Sequence, residues 1–328
     1  MRRREVIGLA MGAALWPLSA WAQPADRTRR IGLLMALGEN DPEGQPRGSA
    51  LRQSLREAGW IDGQNLQLEL RWYAGDPERA QALARDLVGM GLDAIVANGT
   101  PALTAVRQLT TSIPVVFVIV ADPVGAGHVQ SLSRPGGNVT GFSTFEQEMG
   151  AKWLELLKEI APRVTRVGIL TDPALRGFSA LLHTVEALAP SFGLQPVVAE
   201  GQDGPAIERA IEAFAQQPNG GLIVFPTPIN SAQRQMIVSL VAQYRLPAVY
   251  PFTFHARSGG LVAYGFNAVD LFRRAGAYVD RIFRGEKPSE LPVQAPTTFE
   301  LVVNLRTARA LGLTVPESLL LQAHEVIG

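Results

Sequence analysis

From Arg30 onward the chain spells one α/β unit twice, and no other feature restricts its possible folds as much. Arg30-Ile-Gly-Leu-Leu-Met35 answers to Arg166-Val-Gly-Ile-Leu-Thr171, each followed by a polar loop and a helical stretch, 49–58 and 179–189. Residues 66–71 and 195–200 then lead through Gly75-Asp76 or Asp203-Gly204 and a proline into another helix. The units continue with Ala94-Ile-Val-Ala-Asn-Gly-Thr-Pro101 and Gly221-Leu-Ile-Val-Phe-Pro-Thr-Pro228, and close with Ile113-Pro-Val-Val-Phe117 and Leu246-Pro-Ala-Val-Tyr250. Two similar open sheets in one chain predict two lobes with a cleft between them, a geometry suited to closing on a small ligand.

The strands read as short, nearly continuous apolar runs at 31–35, 94–97, 115–120, 167–170, 222–225 and 248–250. Such runs suit parallel strands covered by helices on both faces. Helical stretches at 77–90, 150–160, 206–216 and 231–244 alternate with them, which predicts right-handed βαβ winding and an α/β fold of two Rossmann-like lobes. The turn-rich stretch Arg134-Pro-Gly-Gly-Asn-Val-Thr-Gly141 is the expected crossing between halves. Beyond the repeat, 260–265 reads as a strand, 268–284 as a helix ended by Gly285, and 299–303 as a last strand. With the first returning to lobe one and the last to lobe two, three segments cross, as in a hinge. The expected division is 1–22 as an export signal, 29–141 plus 265–288 as lobe I, and 142–264 plus 289–328 as lobe II.

Arg2, Arg3 and Arg4 precede an uncharged apolar run from Val6 to Leu18, then Ala20-Trp21-Ala22, the pattern of a cleavable export signal. The run is shorter than the ~20 residues a membrane span needs. The adjacent arginines of Arg3-Arg4-Glu5-Val6-Ile7 also match a twin-arginine signal, with ordinary secretion as the alternative. The chain contains no cysteine, so disulfides, thiolate catalysis, thiolate zinc and a lipidated cysteine are excluded. Without Arg2, Arg3, Arg4 and Glu5 the 30 basic and 30 acidic residues become 27 and 29, and no basic block offers nucleic acid a foothold. A soluble, monomeric periplasmic protein is expected.

In open α/β sheets ligands sit beyond the carboxyl ends of the strands, beside helix N-termini whose free N–H groups favour an anion. Taking the residues just beyond each strand selects Gly38, then Asn98, Gly99 and Thr100, then Ala121 and Asp122. The second half is expected to contribute Ser143 and Thr144 at the crossing, Asp172, and Pro226 with Thr227. Tyr250, Phe252 and Tyr264 near the return crossings are candidate walls. Each also has a plain reading: Gly-Thr-Pro and Pro-Thr-Pro suit any strand-to-helix turn, and Asp122 or Asp172 can simply cap a helix.

No catalytic constellation accompanies them. His128, His183, His255 and His324 are scattered, and neither G-x-S-x-G nor a phosphate-binding G-x-x-x-x-G-K-[ST] loop is present. Gly125-Ala-Gly127 starts like a dinucleotide fingerprint but lacks its third glycine. No enzyme activity, cofactor or metal is expected.

Several stretches together resemble the substrate-binding proteins of ABC importers with a type I periplasmic-binding fold, in the subfamily that includes tryptophan- and tyrosine-binding members. They are Arg3-Arg-Glu-Val-Ile7 with Ala22, Asp122-Pro-Val124, Ser131-Leu-Ser-Arg-Pro-Gly-Gly-Asn-Val-Thr-Gly141, Gly260-Leu-Val-Ala-Tyr-Gly265, Arg281-Ile-Phe-Arg-Gly-Glu-Lys-Pro288, and the run from Phe299 to Leu313. The resemblance implies a three-stranded hinge, capture of one small solute in the cleft, and delivery to a membrane permease and ATPase. By position it implies ligand contact at Thr100, Asp122, Ser143, Thr227 and Tyr264. One loop departs from the pattern: many relatives have an Asn-Pro-rich loop where this chain has Thr171-Asp-Pro-Ala-Leu-Arg-Gly177. The expected solute is an amino acid, an aromatic amino acid or a related carboxylate. A sensor subunit for a chemoreceptor or histidine kinase is the alternative, and an exported enzyme a more remote one.

Overall fold

The two halves build separate sheets in a computed structural model that describes residues 28–144 and 148–328. The expected export signal lies outside the described residues. The first sheet contains β1 (Arg29–Met35), β2 (Leu66–Trp72), β3 (Ala94–Asn98), β4 (Val115–Ala121) and β5 (Val139–Thr144), in the order β2-β1-β3-β4-β5, all parallel. Helices α1 (Gly44–Glu57), α2 (Pro77–Gly89) and α3 (Thr100–Leu109) connect its first four strands. In the second half, α4 (Glu148–Ile160) precedes β6 (Arg166–Thr171), α5 (Ser179–Leu188), β7 (Gln195–Glu200), α6 (Gly204–Ala215) and β8 (Gly220–Val224). Then come α7 (Pro228–Ala232), α8 (Arg234–Gln243), β9 (Ala248–Tyr250), α9 (Thr253–Arg257) and β10 (Val262–Phe266). The chain ends with α10 (Ala268–Phe283), β11 (Phe299–Asn304), α11 (Leu305–Leu311), α12 (Glu317–Gln322) and β12 (Glu325–Ile327).

The second sheet runs β12-β11-β10-β9-β8-β6-β7. Laid beside the first, β7-β6-β8-β9-β10 repeats β2-β1-β3-β4-β5, so the doubling seen in the sequence extends one strand further than expected. The matching turns have a local cause. Asp76 and Asp203 cap α2 and α6 by accepting from Glu78 and Arg79 N–H or from Ala206 N–H, each with a proline in the first helical turn. Each sheet is covered on both faces. In lobe I, Leu51, Phe272 and Val279 pack on one face and Ala84, Leu103 and Val106 on the other. In lobe II, Trp153, Leu157 and Val185 oppose Ile207, Ile211 and Ile237.

Three expectations are corrected. Ser143 and Thr144 end β5, which pairs with β4, so they belong to the first sheet and not to the second half. The strand at 262–266 does not return to the first sheet; it lies between β9 and β11, and α10 makes the return instead. That helix spaces Leu271, Phe272, Ala275, Val279 and Ile282 along one buried face, and Gly276 lets α1 approach so closely that a Cβ there would stand 2.6 Å from that of Ser54. Finally, β11 is antiparallel to β10, so the second sheet is mixed. The chain leaves β10 at the cleft end, packs α10 on the other lobe and re-enters from the cleft end, which reverses the strand direction.

Candidate ligand-binding cleft

The carboxyl ends of both sheets face each other, and their loops touch. Gly177 comes so close to the first lobe that a Cβ on it would lie 2.7 Å from the Ala121 carbonyl oxygen. A Cβ on Gly75 would meet Pro228 and Ile229 at 3.1 Å, and one on Gly99 would meet Pro228 at 3.4 Å. Arg234 of α8 reaches Asp41 in the loop after β1 with both Nη atoms, at 2.5 and 2.9 Å. These side chains are only 7% and 10% exposed, so the pair is desolvated between lobes.

Two adjoining cavities open along this seam, with Gly177 in the wall of each. One, of about 440 Å³, brings Ala121, Asp122, Ser143 and Thr144 together with Phe178 and Leu181 from the opposite lobe. The other, of about 520 Å³, brings Thr100 and Thr104 against Asp172, Leu175 and Arg176. Six of the sequence-predicted residues therefore line space between the lobes. Thr144 offers a buried hydroxyl with no hydrogen-bond partner among the described residues, the kind of orphan that a ligand can satisfy. Asp172 is buried with its carboxylate accepting from Ala174 N–H at 3.0 Å, and desolvation holds its pKa above the ordinary carboxylate range.

The end of β4, which reaches this seam at Ala121, carries a register shift between Val118 and Val120, with Ile119 at φ 62° and Asp122 at φ 37°. A β-branched residue in the left-handed region is costly, and such strain concentrates where a fold aims side chains at a site. Gly141 of β5 matches the bulge, since a Cβ there would stand 2.1 Å from the Phe117 carbonyl.

Other predicted residues are occupied structurally. Asn98 is buried and ties three strands together, accepting from Ala36 N–H at 3.1 Å and donating to the Val118 carbonyl at 3.2 Å. Gly99 supplies φ 87° for the sharp entry to α3. Thr227 is sealed from solvent and caps α7 through Asn230 N–H, with Pro226 beside it. Asp122 accepts from Gly125 N–H at 2.8 Å while its side chain stays exposed at the cavity wall. Gly38 sits in the β1–α1 turn with open space where a Cβ would be. Tyr250 lines a separate cavity of about 140 Å³ between α8 and α11, stacked on His255 at 5.1 Å. Tyr264 stacks on Phe299 at 5.9 Å, and Phe252 lies in an aromatic group with Phe254, His255 and Phe266.

Sequence reading missed Phe178, Leu181 and His128, which come from helix starts and a loop that no strand-end rule selects. It also missed Arg47, buried at the start of α1 beside Phe252 and Phe254. A cation in the first turn of a helix opposes the helix dipole, and that is the signal that could have found it.

Two wound lobes closed on a seam of hydroxyls, carboxylates and aromatics define a two-lobed solute-binding fold. The sequence matches the family described as ABC transporter substrate binding protein over residues 45–327, and the chain belongs to that family. It is 26% identical over 262 residues to a tyrosine-binding protein of Clostridioides difficile, covering 80% of this chain and 75% of that one. Among solved structures, a conserved domain protein from Vibrio cholerae superposes with a TM-score of 0.86 at 27% identity, covering 92% of this chain and all of that one. The ABC domain from Streptococcus pneumoniae in complex with L-Trp gives 0.85 at 26% identity, with the same coverage.

Proposed function

We propose that this chain is the extracytoplasmic receptor of an ABC importer and captures an amino acid, or a related small carboxylate, between its lobes. The observation that carries this reading is the seam itself: residues from the strand ends of both sheets, Thr100, Asp122, Ser143 and Thr144 from one and Asp172 from the other, converge on adjoining cavities sized for a small solute. A ligand touching both lobes favours the closed arrangement by its differential contacts, and a permease with its ATPase reads that closure. The tyrosine-binding relative and the L-Trp complex support an aromatic amino acid as the first candidate. The basic start and A-x-A site at Ala22 support export to the periplasm, and among the described residues no helix is long and apolar enough to cross a membrane. The tyrosine-binding relative and the L-Trp complex are named for the solutes they bind, and we read no reaction into this chain.

Mass spectrometry of solute retained by gently purified protein tests the proposal, followed by thermal shift with the solute found and with L-tyrosine and L-tryptophan. A ligand at a hundredfold its dissociation constant adds about 2.7 kcal/mol to stability. Turnover of a retained solute, or no solute and no shift with any amino acid, refutes it.

A further inference from the structure

Five buried side-chain polar atoms find no hydrogen-bond partner among the described residues, and of these only Thr144 Oγ1 belongs to a residue lining either seam cavity. Its neighbours in the same wall are already engaged: Ser143 Oγ donates to the Gln294 carbonyl at 3.4 Å, and Asp122 accepts from Gly125 N–H at 2.8 Å. Thr144 is 4% exposed and ends β5, where pairing with Ala121 of β4 fixes its position. A hydroxyl both donates and accepts, so leaving it dry forfeits a bond of either kind.

The cavity of about 440 Å³ that Thr144 lines has two kinds of wall. Asp122 and Glu148 are exposed and are its only charged groups among the described residues. Ala121, Phe178 and Leu181 are buried and apolar, while Val124 and Leu132 leave apolar surface uncovered at 39% and 46% exposure. An amino acid whose ammonium stays with the carboxylates therefore lays its side chain on an apolar wall holding one free hydroxyl. An aliphatic chain or a plain phenyl ring covers that hydroxyl, displaces the water an open cleft offers it, and gives no bond in return. A phenol O–H or an indole N–H bonds the hydroxyl while its ring buries against Phe178 and Leu181. We infer that Thr144 determines specificity, selecting aromatic solutes that carry a polar ring atom over those with a phenyl or aliphatic side chain. This rests on the receptor reading above and deepens it from a class of solute to a discrimination within the class.

The test is calorimetric titration of the intact protein with L-tyrosine, L-tryptophan, L-phenylalanine and L-leucine, with identification of any solute retained on purification. The parent is compared with Thr144→Val, which keeps the shape and removes the hydroxyl, and with Thr144→Ser, which keeps the hydroxyl; Thr144→Ala repeats the measurement if Thr144→Val does not fold. The expected result is that the parent binds L-tyrosine or L-tryptophan about tenfold or more tighter than L-phenylalanine. Thr144→Val brings that ratio close to one, mainly by weakening the ligand with the polar ring, and Thr144→Ser preserves it. A threonine with a purely structural role would shift all affinities together and leave the ratio unchanged. L-phenylalanine or L-leucine bound as tightly as the other two, an unchanged ratio in Thr144→Val, or a retained solute with an aliphatic side chain overturns the assignment and leaves the receptor reading standing. Failure to retain or bind any solute sinks both.

Discussion

The ion pair between Arg234 and Asp41 joins residues 193 positions apart and spans the two lobes. It exists only while the lobes are apposed, so removing one partner acts on closure and not on the folding of either lobe. Replacing Arg234 by Met leaves the Asp41 carboxylate, at 10% exposure, with only Glu43 N–H and the nearby Arg47 charge in the closed arrangement, whereas opening returns it to water. Breaking a buried pair in this way costs about 3–5 kcal/mol. Because Asp41 escapes the penalty by opening, the lower end, about 3 kcal/mol, should appear as a shift of the open–closed equilibrium of roughly 150-fold. The chain has no cysteine, so dyes can be attached cleanly at Arg79→Cys and Gln202→Cys, two exposed rim positions on opposite lobes. Single-molecule energy transfer should show Arg234→Met populating longer distances with the melting temperature little changed. The double variant Arg234→Met with Asp41→Leu removes the stranded charge and should return toward the parent distribution. An unchanged distance distribution in the single variant, or a double variant as open as the single, refutes the latch.

Gly177→Ala places a Cβ 2.7 Å from the Ala121 carbonyl across the seam, so solute affinity should fall about tenfold or more while the solute-free melting temperature holds; affinity equal to the parent would show the lobes do not meet there. Burial holds the His255 pKa near 3, below the ordinary 6.5, so the folded protein keeps this ring neutral. Its stabilising contribution is complete above pH 6.5 and drains away as pH falls toward 3, at up to about 1.4 kcal/mol per pH unit. His255→Phe should flatten the fall in melting temperature between pH 6.5 and 4.5, and parallel curves would argue against it. Gly141→Ala, with φ at 153° and the Phe117 carbonyl 2.1 Å from the new carbon, should cost on the order of 4 kcal/mol in denaturant unfolding; a loss below about 1 kcal/mol would mean the β4 bulge relaxes freely.

Much of this molecule is local and so was legible from one dimension. Continuous apolar runs mark strands covered on both faces, as in Ala94–Asn98, and Asp76 and Asp203 announce their helices because a cap acts within three residues. The same strand-end rule found Thr100, Asp122, Ser143, Thr144 and Asp172, which the fold does bring to the seam. It failed to separate them from Asn98 and Thr227, whose polar groups are spent on strand carbonyls and a helix start, since only tertiary contacts reveal where a hydrogen bond goes.

The amino-acid sequence alone determined the doubled α/β winding, the strand ends from which a site would be drawn, and the absence of thiol chemistry. Which strand joins which sheet, the reversal of β11, the pairing of Arg234 with Asp41 and the burial of Arg47 against Phe252 and Phe254 were decided only when the lobes met. Periodicity and caps depend on neighbours a few residues away, whereas burial and charge pairing depend on groups far apart in the chain, and no spacing along it encodes which of them will touch.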